Sequence, residues 1–198
     1  MKNIQAAIFD IGNVLLFFDY MKAAGRLMER NRLETLPDRA RITAINYRLE
    51  IGEISTAEFL SLVRPEFHDN GAESEFIEIW GDIFEENTRM TALARALSRR
   101  MPVFLISNIG PIHHDFIFRN FEVFSIFSGG IFSYEARLMK PDPRCFGLAV
   151  TKWGVDPAHT LYFDDVAENC AAAAAAGFQA RHFEPHREDL PSAWNIPL

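Results

Sequence analysis

The sequence predicts an α/β protein: a parallel sheet with helices on both faces, interrupted near its start by an all-helical insert. Two observations carry this. Four short apolar runs, at 4–9, 102–107, 160–163 and 179–183, alternate with segments of helical periodicity. Residues 20–86, by contrast, read as helix after helix with no strand among them. Together they predict a Rossmann-like core in two pieces, 1–18 and 88–198, with a helical cap domain at 19–87.

The first run, IQAAIF, shows no apolar–polar alternation and closes on Asp10-Ile11-Gly12. An unbroken apolar run of this length suits a strand covered on both faces. The insert then predicts helices over 20–30, 37–50, 55–63 and 72–84. Ser55 and Glu58 have the spacing of a capping box, in which each side chain satisfies the other's backbone donor. The α/β pattern resumes with a helix at 89–99, the strand at 102–107 and a helix at 142–153. After the strand at 160–163 comes a helix at 166–176. Its run of alanines allows close approach to the sheet, and Gly177 is positioned to end it.

Composition narrows the function. With 48% apolar and 24% charged residues in a chain of 198, the protein is globular, and large enough for one full core plus a smaller unit. A net charge of -7 without any long Lys/Arg run argues against nucleic acid as a partner. No segment approaches the roughly 20 apolar residues a membrane helix needs, and Asp10 interrupts what would be a leader's apolar stretch. Two cysteines, Cys145 and Cys170, fit a reduced cytoplasmic protein better than a disulfide framework. The expected state is a monomer or homodimer.

The polar residues that end the predicted strands carry the chemistry. In an open parallel sheet, ligands bind outside the carboxyl ends of the strands. Asp10 ends the first strand, Ser107-Asn108 the second, and Asp164-Asp165 the one at 160–163, while Lys140 lies in the loop before the 142–153 helix. Each has a plain structural role open to it: helix capping for the aspartates, turn punctuation for Ser107-Asn108, surface exposure for Lys140. Three carboxylates gathered at one sheet edge, however, repel unless a cation joins them. All-oxygen ligation of this kind points to Mg²⁺. A carboxylate nucleophile, a hydroxyl and a lysine then complete a site for a phosphoryl group.

The segments FDIGNVL, LISN, KPDPRCF and YFDDVAEN resemble, in order, the four motifs of the haloacid dehalogenase-like hydrolases. The helical insert, with GEISTAEF at 52–59, resembles their helical cap. The resemblance implies that Asp10 is a nucleophile forming an aspartyl-phosphate, and that Ser107, Asn108 and Lys140 bind the phosphoryl group, Lys140 also offsetting charge. It implies that Asp10, the carbonyl of Gly12 and Asp165 hold Mg²⁺, with Asp164 as ligand or support. The FDxGNV form of the first motif resembles a subgroup containing sugar-phosphate phosphatases, so the implied activity is hydrolysis of a small phosphorylated metabolite. Haloacid dehalogenation and a non-turning-over phosphate- or metal-binding domain are the alternatives.

Gly12 stands where typical phosphatases of that group carry a second aspartate, the general acid and base. Asp19, Glu85 or Glu86 could replace it, or the substrate could have a good leaving group. His113 and His114 invite a metal or proton-shuttle role, against which stands simple local satisfaction. Phe17, Phe18, Tyr20 and Trp80 are open to pocket or core roles, and Cys170 reads as a small buried hydrophobe.

Overall fold

The computed structural model describes residues 3–185, so positions 1–2 and 186–198 of the expected core lie outside the described residues. Strand β1 (Ala6–Phe9) leads into a tight turn and β2 (Leu16–Phe18). Helices α1 (Tyr20–Asn31), α2 (Arg39–Glu50), α3 (Thr56–Val63) and α4 (Glu73–Gly81) follow, then β3 (Phe84–Glu86) and α5 (Thr88–Ser98). The chain continues through β4 (Val103–Ser107), α6 (Pro111–Asn120), β5 (Gly130–Phe132) and the short α7 (Ser133–Ala136). It finishes with α8 (Pro143–Trp153), β6 (Thr160–Asp164), α9 (Ala167–Ala175) and β7 (Gln179–His182).

Five strands form one sheet in the order β5-β4-β1-β6-β7, every neighbouring pair parallel. Alternation along β1 sends Ala7 and Phe9 into one core with Leu93, Leu97, Leu105 and Phe163. Ala6 and Ile8 enter the opposite core with Phe104, Phe146, Tyr162 and Ala173. Both faces of the central strands are therefore covered, which is why β1 and β4 are almost wholly apolar, whereas the edge strand β7, QARH, is only partly buried. At the end of α9, Gly177 adopts φ +94°, and Phe178 N–H donates to the Ala173 carbonyl at 3.0 Å, closing the helix as its sequence suggested.

The helices α1–α4 bury a third core containing Phe59, Phe67, Phe76 and Trp80, and Ile112 of α6 completes it from the sheet side. Ser55 and Glu58 form the expected capping box. The expectation of no strand in 20–86 is corrected: Phe84–Glu86 pairs antiparallel with Leu16–Phe18. Hydrogen bonds from Asp19 N to Ile83 O (3.1 Å) and from Asn87 N to Leu15 O (2.9 Å) extend this ribbon at both ends. The predicted 72–84 helix accordingly stops at Gly81, because Phe84 is drawn into the ribbon. Strand β5 and helix α6 also escaped the sequence reading, the first for its brevity and the second because His113-His114 masked its apolar face.

Candidate active site

The central position of β1 decides the geometry of the site. Phe9 is in register with Leu105 of β4 and with Phe163 of β6, so the chain ends of all three strands emerge side by side. Asp10, Ser107 and Asp164 are thereby brought to one edge of the sheet, and all three are buried. Lys140, from the loop before α8, reaches in among them. Its Nζ lies 2.8 Å from Asp10 Oδ1 and 2.7 Å from Asp164 Oδ2. Asn108 holds that loop from below: its Nδ2 donates to Lys140 O (3.0 Å) and its Oδ1 accepts from Lys140 N (2.9 Å). Asn108 therefore also serves to position Lys140.

The three aspartates differ in how far they are satisfied. Asp164 Oδ2 accepts from Lys140 and from the Tyr162 hydroxyl. Its Oδ1 accepts from Val166 N at 2.9 Å and Asn169 Nδ2 at 3.0 Å. Burial pushes this carboxyl up, but Lys140, Tyr162 and the Val166 amide outweigh it and hold it below the ordinary range. Asp165 accepts from Asn13 Nδ2 at 3.1 Å, and burial raises it. Asp10 Oδ1 accepts from Ile11 N at 2.7 Å as well as from Lys140. Burial, only partly countered by Lys140 and reinforced by Asp164 and Asp165, pushes Asp10 up to about 7. Lys140 stays charged: burial would lower it, but Asp10 and Asp164 more than compensate.

Oxygens from Asp10, Asp164 and Asp165 lie within 4.8 Å of one another. One ammonium set against three carboxylates leaves net negative charge in a buried place, and hard oxygen donors at this spacing fit a divalent cation such as Mg²⁺. Asp164 is saturated by protein donors, so Asp10 and Asp165 are the carboxylates with oxygens to offer.

The remaining expected residues separate cleanly. Gly12 sits in the turn after Asp10, and a Cβ placed on it would lie 3.0 Å from Phe18 Cε1. Asp19 caps α1 by accepting from Met21 N, and Glu86 accepts from Thr91 Oγ1. Trp80 belongs to the core of the helical layer, while Phe18 and Tyr20 are over a third exposed. His113 is buried with Nε2 against the Trp80 carbonyl, and His114 stacks on Phe118. Neither joins a metal-binding cluster among the described residues. Cys170 is buried as expected. Asn13, Tyr162 and Asn169 were missed; the asparagine directly after Gly12, in the left-handed conformation with φ 53°, was the one available signal.

A family model described as haloacid dehalogenase-like hydrolase matches residues 4–177. The chain belongs to that family. Among solved structures, it resembles a HAD family enzyme from Bacteroides thetaiotaomicron with 24% identity and a TM-score of 0.82, over 94% of this chain and 97% of that one. The same enzyme has been solved in complex with magnesium and inorganic phosphate, with 24% identity, a TM-score of 0.81 and the same coverage. L-2-haloacid dehalogenase from Xanthobacter autotrophicus, with chloropropionic acid covalently bound, is more distant: 18% identity, TM-score 0.62, over 90% of this chain and 77% of that one. At these identities the structural likeness speaks for the shared fold, and the family assignment makes this haloacid dehalogenase-like chain a hydrolase.

Proposed function

We propose that this hydrolase is a Mg²⁺-dependent phosphatase acting on a small phosphomonoester, such as a sugar phosphate, through an aspartyl-phosphate on Asp10. The observation that carries the reading is the Asp10–Lys140–Asp164 bridge with Asp165 beside it. Its uncompensated negative charge calls for a cation, which displacement of halide by a carboxylate does not require. The magnesium and phosphate bound to the Bacteroides thetaiotaomicron enzyme support the same reading.

Ile11 N–H and Lys140 both address Asp10 Oδ1, holding the carboxylate in a fixed orientation for attack. Lys140 stabilises charge on the transferring phosphoryl group, and the Ser107 hydroxyl at the end of β4 donates to it. Asp10 and Asp165 would hold Mg²⁺, which would offset the negative charge of the phosphoryl group. Asn108 and Asp164 keep the lysine in place throughout. Residues 19–87 act in this scheme as a cap that excludes water and selects the substrate.

The test is phosphate release from an aryl phosphate and from sugar phosphates, with Mg²⁺ and with chelator, for the wild type and for Asp10→Asn. Release that requires both Mg²⁺ and Asp10 is expected. Halide release from a 2-haloacid in chelator, with no phosphate released from any ester, would overturn the proposal.

A further inference from the structure

Tyr162 is fully buried in one of the two sheet cores, among Ile8, Phe104, Phe146 and Phe178. Its ring meets Phe146 edge-on, with 5.3 Å between centroids. These neighbours are all apolar, and a phenylalanine would pack among them equally well. A hydroxyl buried in such a place is worth its desolvation only through the bond it makes. That bond runs to the candidate site. Tyr162 and Asp164 lie two apart on β6, so alternation along the strand puts both side chains on one face. The phenol donates to Asp164 Oδ2.

A carboxylate offers about four lone-pair positions. Protein donors fill them all on Asp164: Lys140 Nζ at 2.7 Å and the Tyr162 hydroxyl on Oδ2, Val166 N at 2.9 Å and Asn169 Nδ2 at 3.0 Å on Oδ1. The same count does not fill Asp10, whose donors Ile11 N and Lys140 Nζ both address Oδ1. Yet Asp10, Asp164 and Asp165 present oxygens within 4.8 Å of one another. Asp164 is therefore kept from a shared cation by occupancy and not by distance.

We propose that Tyr162 is a positioning residue that withholds Asp164 from the cation: its hydroxyl occupies the last lone pair of that carboxylate, leaving Asp10 and Asp165 to hold the ion and tilting the site toward Mg²⁺ and away from Ca²⁺. The inference rests on the Mg²⁺-dependent phosphatase reading above. Mg²⁺ is held by one or two carboxylates beside waters and phosphate oxygens, whereas Ca²⁺ gathers about six to eight oxygens and gains from each further carboxylate. A third aspartate in reach with a lone pair to spare would favour the larger ion. The hydroxyl removes that option, and Asp164 stays the partner of the Lys140 ammonium.

The experiment titrates the metal-free protein with Mg²⁺ and with Ca²⁺ by calorimetry, for the wild type, Tyr162→Phe and Phe104→Leu. Tyr162→Phe keeps the ring and its packing and loses only the hydroxyl. Phe104→Leu loosens the same core at a residue that makes no bond to Asp164. In Tyr162→Phe the ratio of Ca²⁺ to Mg²⁺ affinity should rise at least about tenfold, the scale on which the outer partners of metal ligands act. Phe104→Leu should keep the wild-type ratio. An unchanged ratio in Tyr162→Phe, a parallel loss of both ions, or the same shift in Phe104→Leu overturns the inference, while Mg²⁺ binding by the wild type leaves the phosphatase reading intact. A wild type that binds neither ion overturns both.

Discussion

Asp10→Asn should make the metal-free protein more stable, and increasingly so as the pH rises. Asn is nearly isosteric with the protonated carboxyl and can still accept from Ile11 N and Lys140. Burial lifts the folded-state Asp10 carboxyl from 3.8 to about 7. Between those values the folded chain binds more protons at this residue than the unfolded chain, so stability falls as pH rises through the window. At about 1.4 kcal/mol per pKa unit, a wild-type penalty of about 4 kcal/mol is fully present above pH 7. At pH 5 only the first unit or so has been crossed, and the penalty is about 2 kcal/mol. The assay is denaturant or thermal unfolding of both proteins in chelator at pH 5 and 8. Each kcal/mol should separate the Tm values by ~2–4 °C in a chain of this size. Adding Mg²⁺ should close the gap by stabilising the wild type. An unchanging difference between pH 5 and 8, or a variant less stable at pH 8, would refute the view that the Asp10 carboxylate is held against its electrostatic preference.

Further outcomes concern His113 and Asn13. His113 is pushed down from 6.5 to about 4 by burial, so the unfolded chain protonates first as pH falls through that interval, removing about 3 kcal/mol of stability; the difference in unfolding free energy between wild type and His113→Gln should shift by that amount between pH 7 and 4. At Asn13, Ala should lower stability by about 1 kcal/mol through the left-handed backbone, whereas Gly should not. Both substitutions should weaken Mg²⁺ binding by about tenfold, measured calorimetrically, because both release Asp165.

The parts of the fold that could be read in advance are those whose signal is local. Strands β1, β4 and β6 are largely apolar runs that stop at Asp10, Ser107 and Asp164, so the core and the edge of the candidate site are written in the same few residues. The ribbon of β2 and β3 was hidden because three-residue strands carry almost no periodicity, and their pairing joins positions far apart in the chain. The site divides in the same way. Charged residues at strand ends stood out, but the work of Asn108 depends on a contact 32 residues away, with Lys140. Phe18 over Gly12 was equally invisible: its packing is set by a ribbon that the sequence did not disclose.

That ribbon also bears on how such a chain can change. The excursion through α1–α4 leaves at Phe18 and returns at Phe84, two residues paired with each other, and flanking hydrogen bonds lock Asp19 to Ile83 and Leu15 to Asn87. The helical segment is a closed loop sewn shut at its base, so its length is uncoupled from the strand register that aligns Asp10 with its partners. Lengthening a closed loop costs only about 0.6 kcal/mol per doubling. Any exchange of helices between residues 20 and 82 would have to keep the contacts that reach the sheet domain, with Ile112 of α6 completing the helical core and the Ser133 hydroxyl donating to the Glu50 carbonyl. The β2–β3 stitch would hold the two ends of the segment together through any such exchange.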